Sequence, residues 1–242
     1  MRRPPLTASA FIRALASLNG VPEAAGPDAF AQRLAGWFDW THAFSLSAAL
    51  GEPGIRHDGS GFGGQGALAA DERECARVRA ALARTIADAP DGGAPPSRRG
   101  GRPSVAALAP VEPAADFATY RQRYAACQLA METQIVPLRR RLRSSLTDRS
   151  SALARLAELD IVMEQVVGAQ ERALLATVGA RLEARFEQLR GPQDDGSPGQ
   201  PGPWLERFRQ DMRSLLLAEL DLRLQPVEGL LEACRKSNPN RP

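Results

Sequence analysis

The stretch DRSSALARLAELDIVMEQVVGAQERALLATVGARLEARFEQLR, residues 148–190, decides the fold class. It has no proline and only two glycines, Gly168 and Gly179. Its apolar residues recur every three or four positions, the spacing that places side chains on one face of a helix. Those positions are Leu153, Leu156, Met163, Val167, Leu174, Val178, Leu182, Phe186 and Leu189. We predict one long helix here, a rod of roughly 60 Å at about 1.5 Å per residue.

The apolar stripe of this helix changes its spacing along the chain. Heptad spacing holds at Leu153, Asp160, Val167 and Leu174, and beyond them the spacing becomes four. A long left-handed coiled coil needs the heptad throughout, so we predict a helical hairpin whose first half resembles a coiled coil. Asp160 and Gln170 are polar residues at seam positions. Either they set the register or the number of partners, or they lie at a solvated end of the stripe, and we favour the second interpretation.

A second long helix is predicted immediately upstream, over residues 116–146. Asp116 is a good N-cap, and the apolar stripe consists of Phe117, Tyr120, Tyr124, Cys127, Met131, Ile135, Leu138 and Leu142. Pro137 lies inside this helix and removes one backbone hydrogen bond, so we expect a kink there. The turn at Thr147–Asp148 is so short that the two helices become antiparallel neighbours. Residues 116–190 are therefore predicted to form a long helical hairpin.

The segments outside this hairpin are predicted to be single helices and the linkers between them. We predict that residues 1–50 form a small N-terminal unit of three short helices, which begin near Thr7, Asp28 and Thr41. Glycine and proline mark linkers over 51–66, 89–115 and 191–203, of which we expect the second to be disordered. Single helices are predicted over 67–88 and over 204–235, the last one interrupted by Pro226. The predicted fold is all-α: a long antiparallel hairpin, a C-terminal helix packed on it and a small N-terminal helical unit.

The composition narrows the class of protein. The net charge is +3 and the sequence pI is about 9.1, with Lys236 as the only lysine. Three cysteines lie on apolar stripes without the paired spacing of a disulfide framework or a zinc site, and we interpret them as buried thiols: Cys75, Cys127 and Cys234. No apolar run reaches the length of a transmembrane helix, and Arg13 interrupts the apolar stretch that follows the basic start. We expect a soluble cytoplasmic protein.

The chain lacks the sequence patterns of common catalytic and cofactor sites. His42 and His57 stand in no metal-binding spacing. The glycine run over 59–64 has neither the Lys-Ser/Thr pair nor the preceding strand of a phosphate-binding loop, so we interpret it as a flexible linker. No nucleophile motif such as GxSxG occurs. We therefore expect no catalytic residue, no metal site and no cofactor, and an enzyme with a site between helices is the less favoured alternative.

The densest basic cluster lies near the end of the first hairpin helix, at Arg139, Arg140, Arg141 and Arg143. A second group, Arg98, Arg99 and Arg102, falls in a predicted linker. Such clusters bind the phosphates of nucleic acids or of anionic lipids, or they form a solvated face near a helix C-terminus. No aromatic residue interleaves with the arginines to stack on bases. We favour the solvated face and keep nucleic-acid binding through Arg139–Arg143 as the alternative function.

The last helix is predicted to be covered on two sides. Its apolar positions span more than half of its circumference, which is wider than the stripe of an ordinary surface helix. One cover would be the hairpin and the other a second copy or a partner. Glu219 and Arg223 fall inside the apolar sector, four residues apart and in the favourable order. We hypothesise that this pair, with Leu216, Leu220 and Val227, forms a partner interface; the alternative is an exposed pair worth under about 1 kcal/mol.

Several segments together carry a family resemblance. They include Trp37 with Trp40-Thr41, the stretch Tyr124–Glu132, the stretch Glu171–Leu175 and, as the most specific part, LAELDLRLQPVEGLL at residues 217–231. This pattern resembles DUF3348, a proteobacterial family of proteins of unknown function. The resemblance supplies no activity, cofactor or catalytic residue. It implies service in a cell-envelope assembly, because members are often encoded near membrane proteins with an OmpA-like peptidoglycan-binding domain.

The sequence thus predicts a non-enzymatic interaction or assembly protein. Its expected ligand is a protein partner or a second copy of the chain. Nucleic acid is the alternative ligand, and no transmembrane segment is expected.

Overall fold

The computed structural model describes residues 10–19, 36–37, 40–51, 64–89, 116–191 and 203–237. Within these ranges the regular structure is helical and contains no strand, so the predicted all-α class is confirmed. Several predictions lie outside the described residues. They are most of the helix that begins at Asp28, most of each linker, the histidine His57, and the arginines Arg98, Arg99 and Arg102.

Seven helices with defined bounds, labelled α1 to α7 in chain order, lie in the described part of the chain, which also includes the helical residues 36–37. They are α1 Ala10–Asn19, α2 Trp40–Leu50, α3 Gly64–Asp88, α4 Phe117–Thr147, α5 Ser151–Ala176, α6 Val178–Arg190 and α7 Pro203–Lys236. None of these helices combines the length and the hydropathy that crossing a bilayer requires.

The helices α4 and α5 form the predicted antiparallel hairpin. Asp116 Oδ1 accepts a hydrogen bond from the Ala118 N–H at 3.0 Å at the start of α4. Ser150 Oγ accepts one from the Leu153 N–H at 3.2 Å at the start of α5. Each cap satisfies a backbone donor that the first turn of a helix leaves unpaired. Because only residues 148–150 separate the two helices, α5 turns back and packs along α4.

The single long helix predicted over residues 148–190 is divided in the structure. α5 ends at Ala176, α6 begins at Val178, and Thr177 lies between them. The Thr177 N–H donates to the Leu174 carbonyl at 3.0 Å, a tightened turn of the kind that often ends an α-helix. The prediction of one uninterrupted rod is therefore wrong at this residue. The division has a structural consequence, since α5 packs mainly on α2 and α4 whereas α6 packs mainly on α1 and α7.

The last helix, α7, is the centre of the bundle. It packs against α1, α3, α4, α5 and α6, and buried residues occur on most of its circumference: Leu205, Phe208, Met212, Leu215, Leu216, Ala218, Glu219, Leu220, Leu224, Val227, Leu230, Leu231 and Cys234. The helix continues through Pro226, as α4 continues through Pro137. The interruption expected at Pro226 is therefore not a break in the helix.

The N-terminal helices dock at two separate places. α1 packs against α6 and α7 and places Phe11, Leu15 and Leu18 in the main core. α2 packs against α5 and buries Ala49. The described N-terminal residues thus join the long helices individually, where the sequence predicted a compact unit of three short helices.

Candidate interaction surfaces

Arg139 and Arg143 of α4 are held by two carboxylates of α5. Arg139 Nε and Nη2 donate to Asp160 Oδ2 and Oδ1 at 2.9 and 2.7 Å. Arg143 Nε donates to Asp160 Oδ2 at 2.6 Å, and its Nη1 lies 2.8 Å from Glu164 Oε2. The side chains of Arg139, Arg143 and Asp160 are mostly buried. Charge-assisted hydrogen bonds of this kind are the strong ones, so both cations are neutralised inside the hairpin.

The four clustered arginines do not share one surface. Arg140 is exposed, and Arg141 lies 3.9 and 3.7 Å from two carboxylate side chains of α3. The expectation of a solvated face is therefore wrong for Arg139 and Arg143, although the exposure of Arg140 agrees with it. Binding to a phosphate backbone needs several cations on one accessible face. The geometry provides at that place only Arg140 and the half-exposed Arg141.

The same contacts correct the interpretation of Asp160. The favoured expectation placed Asp160 and Gln170 at a solvated end of the stripe. Gln170 is exposed, but Asp160 is the shared acceptor for two arginines at the seam between α4 and α5. A carboxylate that meets two guanidinium groups of the facing helix fixes how the two helices are aligned.

Glu219 of α7 is fully buried, and its carboxylate is the centre of a hydrogen-bond network. Tyr124 Oη donates to Glu219 Oε2, and Gln128 Nε2 donates to Oε1 at 3.1 Å. Arg223, one turn further along α7, donates from Nε to Oε1 at 2.9 Å. Burial and, next, the neighbouring Glu219 carboxylate raise the pKa of Tyr124 well above its usual value. The phenol therefore stays neutral and remains a donor, and the network joins α4 to α7.

The residues predicted as a partner interface lie inside the bundle. They are Leu216, Glu219, Leu220, Arg223 and Val227, of which only Arg223 keeps partial exposure. The second cover predicted for this helix exists, but it comes from helices of the same chain, α1 and α3 among them. The four buried side chains therefore have no free surface for a partner, and Arg223 has little. The Glu219–Arg223 pair takes part in the packing of α4 on α7.

Sequence reasoning missed the two α4 residues of this network, Tyr124 and Gln128. A signal for Tyr124 was available, because it lies on the apolar stripe and a buried tyrosine hydroxyl usually finds a hydrogen-bond partner. Its partner is 95 residues away in the sequence, and no local pattern spans that distance.

Ion pairs fasten α3 to its neighbours. The buried Asp71 carboxylate accepts hydrogen bonds from Arg149 Nη2 at 3.2 Å and from Ser145 Oγ at 3.1 Å. Three further pairs join α3 to α7 at the exposed rim: Arg79 with Asp221, Arg79 with Glu228, and Glu72 with Arg235. Asp71, Glu72 and Arg79 of α3 are thus engaged by other parts of the same chain.

The described residues contain no group of His, Cys, Asp and Glu side chains arranged to hold a metal ion. The cysteines are buried free thiols, as predicted: Cys75, Cys127 and Cys234. Burial raises the pKa of each thiol, so each stays in its poorly reactive protonated form. A cleft of about 230 Å³ between α4 and α6 is lined by charged side chains of both signs and by Phe117 and Phe186. None of the described residues that line it is a serine, threonine, cysteine or histidine.

The helix α2 exposes three large apolar side chains. Trp40, Phe44 and Leu50 are 87%, 71% and 63% exposed. The eleven residues of α2 include no Asp, Glu, Lys or Arg. A surface helix ordinarily turns its charged and polar side to solvent, and a concentrated exposed apolar patch marks an interaction site. We call this surface the α2 face; its exposed residues are Trp40, Thr41, Ala43, Phe44, Ser47, Ala48, Leu50 and Gly51.

The sequence carried a signal for the α2 face that the prediction did not use. The helix over residues 40–50 is apolar and has no charged residue, and the region around it holds Trp37 and Trp40. Its apolar residues were assigned to the packing of a small N-terminal unit, since single-sequence patterns do not distinguish a core face from an exposed apolar face.

The bundle and the α2 face define the class of this molecule: an all-α protein whose described helices form a packed core with the short apolar helix α2 at its surface. The chain belongs to the family "Protein of unknown function (DUF3348)", whose model matches residues 1–236. The family resemblance predicted from the sequence is therefore confirmed. Comparison with curated proteins and with solved structures finds no match.

Proposed function

We propose that this chain is a non-enzymatic interaction protein that binds a protein partner through the α2 face. The observation that supports the proposal is the exposure of Trp40, Phe44 and Leu50 on a helix without charge. Aromatic side chains dominate the binding energy of protein interfaces, whereas charged residues are depleted at interface centres. Burying the three side chains against a partner removes their apolar surface from water, which is the main favourable term in association.

The position of α2 in the fold supports the same proposal. α2 rests on α5, and α5 is fixed to α4 by the contacts of Arg139 and Arg143 with Asp160. Docking a partner then leaves the hairpin under α2 unchanged, so the conformational entropy lost on binding is confined to α2 itself.

The finer form of the proposal concerns the cellular role. We assign the chain to the cytoplasmic side of a cell-envelope assembly, on the basis of the gene neighbourhood that the family implies. The α2 face would then be the contact through which the assembly holds this protein. Nothing in this assignment requires a catalytic step.

Nucleic-acid binding through Arg139–Arg143 has less support. The two best-placed cations of that cluster already meet Asp160 and Glu164. A labelled DNA duplex and a labelled RNA hairpin, titrated with the chain at two salt concentrations, test this alternative. Tight binding that weakens steeply with salt and is lost in Arg140→Gln/Arg141→Gln would favour it.

The proposed function is tested by comparing the native chain with Trp40→Ser/Phe44→Ser. Both chains are immobilised, and proteins of the source bacterium that bind only the native chain are identified and purified. Direct titration then measures each candidate against both chains. We expect a partner whose affinity drops by at least about tenfold in the double variant, as truncation of central aromatic anchors does.

A matched control keeps this result specific. Leu129 on α4 is also a large exposed apolar side chain, 62% exposed, so Leu129→Ser removes exposed apolar surface outside the α2 face. We expect it to bind like the native chain. Partners that respond equally to both changes, or to neither, would contradict the proposed role of the α2 face.

A further inference from the structure

The arrangement of large and small side chains along α2 bears on the identity of its partner. At about 100° per residue, Trp40, Phe44, Ser47 and Gly51 follow one another along the middle of the exposed face. All four are exposed. The two large side chains occupy the N-terminal half of the helix, and the two small residues occupy the C-terminal half. The middle of the face is therefore bulky at one end and flat at the other, and the large side chain of Leu50 stands at the edge of the face.

We infer that the partner of the α2 face is a second copy of this chain, bound as an antiparallel α2–α2 pair about a twofold axis. This inference rests on the proposed function and names its ligand. In a twofold interface the two copies present the same surface to each other. If one residue contacts a second residue of the other copy, that second residue of the first copy contacts the first residue of the other. An antiparallel pair centred between Ser45 and Leu46 sets Trp40 opposite Gly51 and Phe44 opposite Ser47. Each bulky side chain then meets a small residue of the other copy.

The same register places the flanking positions in complementary pairs. On the flanks of the pair, Ala43 lies beside Leu50 of the other copy, and Thr41 lies beside Ala48. Helices interdigitate best when large side chains face small ones across the contact. A parallel pairing of two copies would set Trp40 against Trp40 at one end and leave Ser47 and Gly51 facing each other across a gap. The distribution of side-chain size therefore selects the antiparallel arrangement.

Charge gives an independent argument for a second copy. A face that binds a basic or acidic partner carries complementary charge, and a helix that lies on an anionic membrane carries Lys or Arg on its polar side. α2 has none of these residues. Two copies of a charge-free face meet without like-charge repulsion, so self-association needs no further complementary groups.

The size of the face sets the expected strength. A fully buried aromatic side chain covers about 150–250 Å², so the exposed parts of Trp40, Phe44 and Leu50 in one copy contribute on the order of 400 Å². Two copies together then bury roughly 800 Å², which is below the standard size of a specific interface and in the range of weak, transient association. We expect a reversible dimer with a dissociation constant on the order of 10 µM or weaker.

Sedimentation equilibrium of the full chain from about 1 µM to 1 mM tests the inference. The native chain is expected to pass from the 26.0 kDa of one chain to twice that mass as concentration rises. Because the interface carries no charge, raising the salt concentration should not weaken the dimer. Trp40→Ser is expected to raise the dissociation constant by about tenfold or more. Leu129→Ser serves as the control and is expected to behave like the native chain.

The sharpest variant is Ser47→Phe, which enlarges the apolar surface while filling the space that Phe44 of the other copy needs. Nonspecific hydrophobic association would grow stronger in this variant, whereas the antiparallel pair would be lost. Ser47 is exposed, and circular dichroism at matched concentration shows whether helix content is retained. Loss of the dimer in Ser47→Phe at full helix content supports the inference. A dimer that survives or strengthens in Ser47→Phe overturns it.

Two further outcomes contradict the inference that the partner is a second copy. They also show whether the proposed function, binding of a protein partner, fails with it. In the first, the native chain keeps the mass of one chain over the whole range, while a purified partner protein still loses affinity in Trp40→Ser/Phe44→Ser; the α2 face then binds a different protein. If the chain instead binds vesicles of phosphatidylglycerol and phosphatidylethanolamine, and that double variant does not, both the second copy and the proposed protein partner fail.

Discussion

Glu219 holds a carboxylate out of solvent, and its partners come from α4 and from the next turn of α7. Removing one member of a buried ion pair leaves an uncompensated charge, which costs about 3–5 kcal/mol when burial is complete. Arg223 keeps some exposure, so we expect Arg223→Ala to lower the free energy of unfolding by about 2–4 kcal/mol. Urea denaturation measures this change.

Lys236→Ala is the matched control for that substitution. Lys236 also pairs with a glutamate four residues earlier in α7, but at the exposed end of the helix. Exposed pairs of this kind contribute about 0.5 kcal/mol or less. If both substitutions cost the same, the network around Glu219 does not carry the stabilisation assigned to it.

The phenol of Tyr124 links stability to alkaline pH. Below about pH 10 a tyrosine is neutral in the folded and the unfolded chain, so its titration leaves stability unchanged. Above that pH the unfolded chain releases the proton while folded Tyr124, whose pKa is raised by burial, retains it. The free energy of unfolding therefore falls as pH rises. We expect a shallower fall from about pH 9 to 11 in Tyr124→Phe; the buried thiols titrate alike in both chains, and identical slopes would contradict the assignment.

Arg139 and Arg143 stabilise the hairpin through the carboxylate that they share. Replacing both by glutamine leaves Asp160 mostly buried without its cations, so we expect a loss of about 2 kcal/mol. Arg140→Gln changes an exposed side chain of the same helix and should stay within about 0.5 kcal/mol. Thermal unfolding of the two variants tests the contrast. A double variant as stable as the native chain would restore the interpretation of these arginines as a solvated face.

At the scale of the element, α3 is held by ion pairs and by buried apolar side chains, and the two contribute different amounts to the free energy of unfolding. The pairs of Arg79 with Asp221 and Glu228 are about half exposed, and exposed pairs contribute under about 1 kcal/mol. Leu82 lies in the core under the same helix, and truncating a buried leucine costs about 2–5 kcal/mol. We expect Leu82→Ala to destabilise the chain several times more than Arg79→Ala in urea denaturation. The reverse order would mean that ion pairs, and not the apolar stripe, dock α3.

The elements also show where sequence reasoning succeeds. The stripe of α4 was predicted residue by residue and all of it is buried, because helical periodicity reports which face of a helix is apolar. The break at Thr177 was not predicted, since apolar spacing continues across it from Leu174 to Val178. To predict the partners of Asp160, one needs to know how α4 and α5 are aligned in the hairpin. To predict those of Glu219, one needs to know the direction in which α7 runs after the linker. Neither follows from local periodicity. The wide apolar sector of α7 indicated that other helices pack on two sides of it. The sector could not show that the same chain supplies all of these helices.

At the scale of the whole molecule, the central position of α7 predicts that α7 and the helices packed on it unfold together as one unit. α7 packs against α1, α3, α4, α5 and α6, so its amides become accessible only when those contacts are lost together. α2 differs, because its substantial contacts in the described part of the chain are with α5 and it buries only Ala49. Its detachment exposes little apolar surface and leaves the bundle intact.

Hydrogen exchange measured by mass spectrometry tests this arrangement. We expect the amides of α2 to exchange by local opening, at a free energy well below that of α7. Leu224 of α7 is fully buried, so Leu224→Ala should cost about 2–5 kcal/mol. That loss should appear in the protection of α7, α3 and α4 alike, since they exchange through one global transition, and should leave α2 unchanged. Phe44→Ser, an exposed change on α2, is the control and should leave α7 as protected as before. Loss of protection confined to α7 in Leu224→Ala would show that the helices around it open independently, and α7 would then not be the element that unites the bundle.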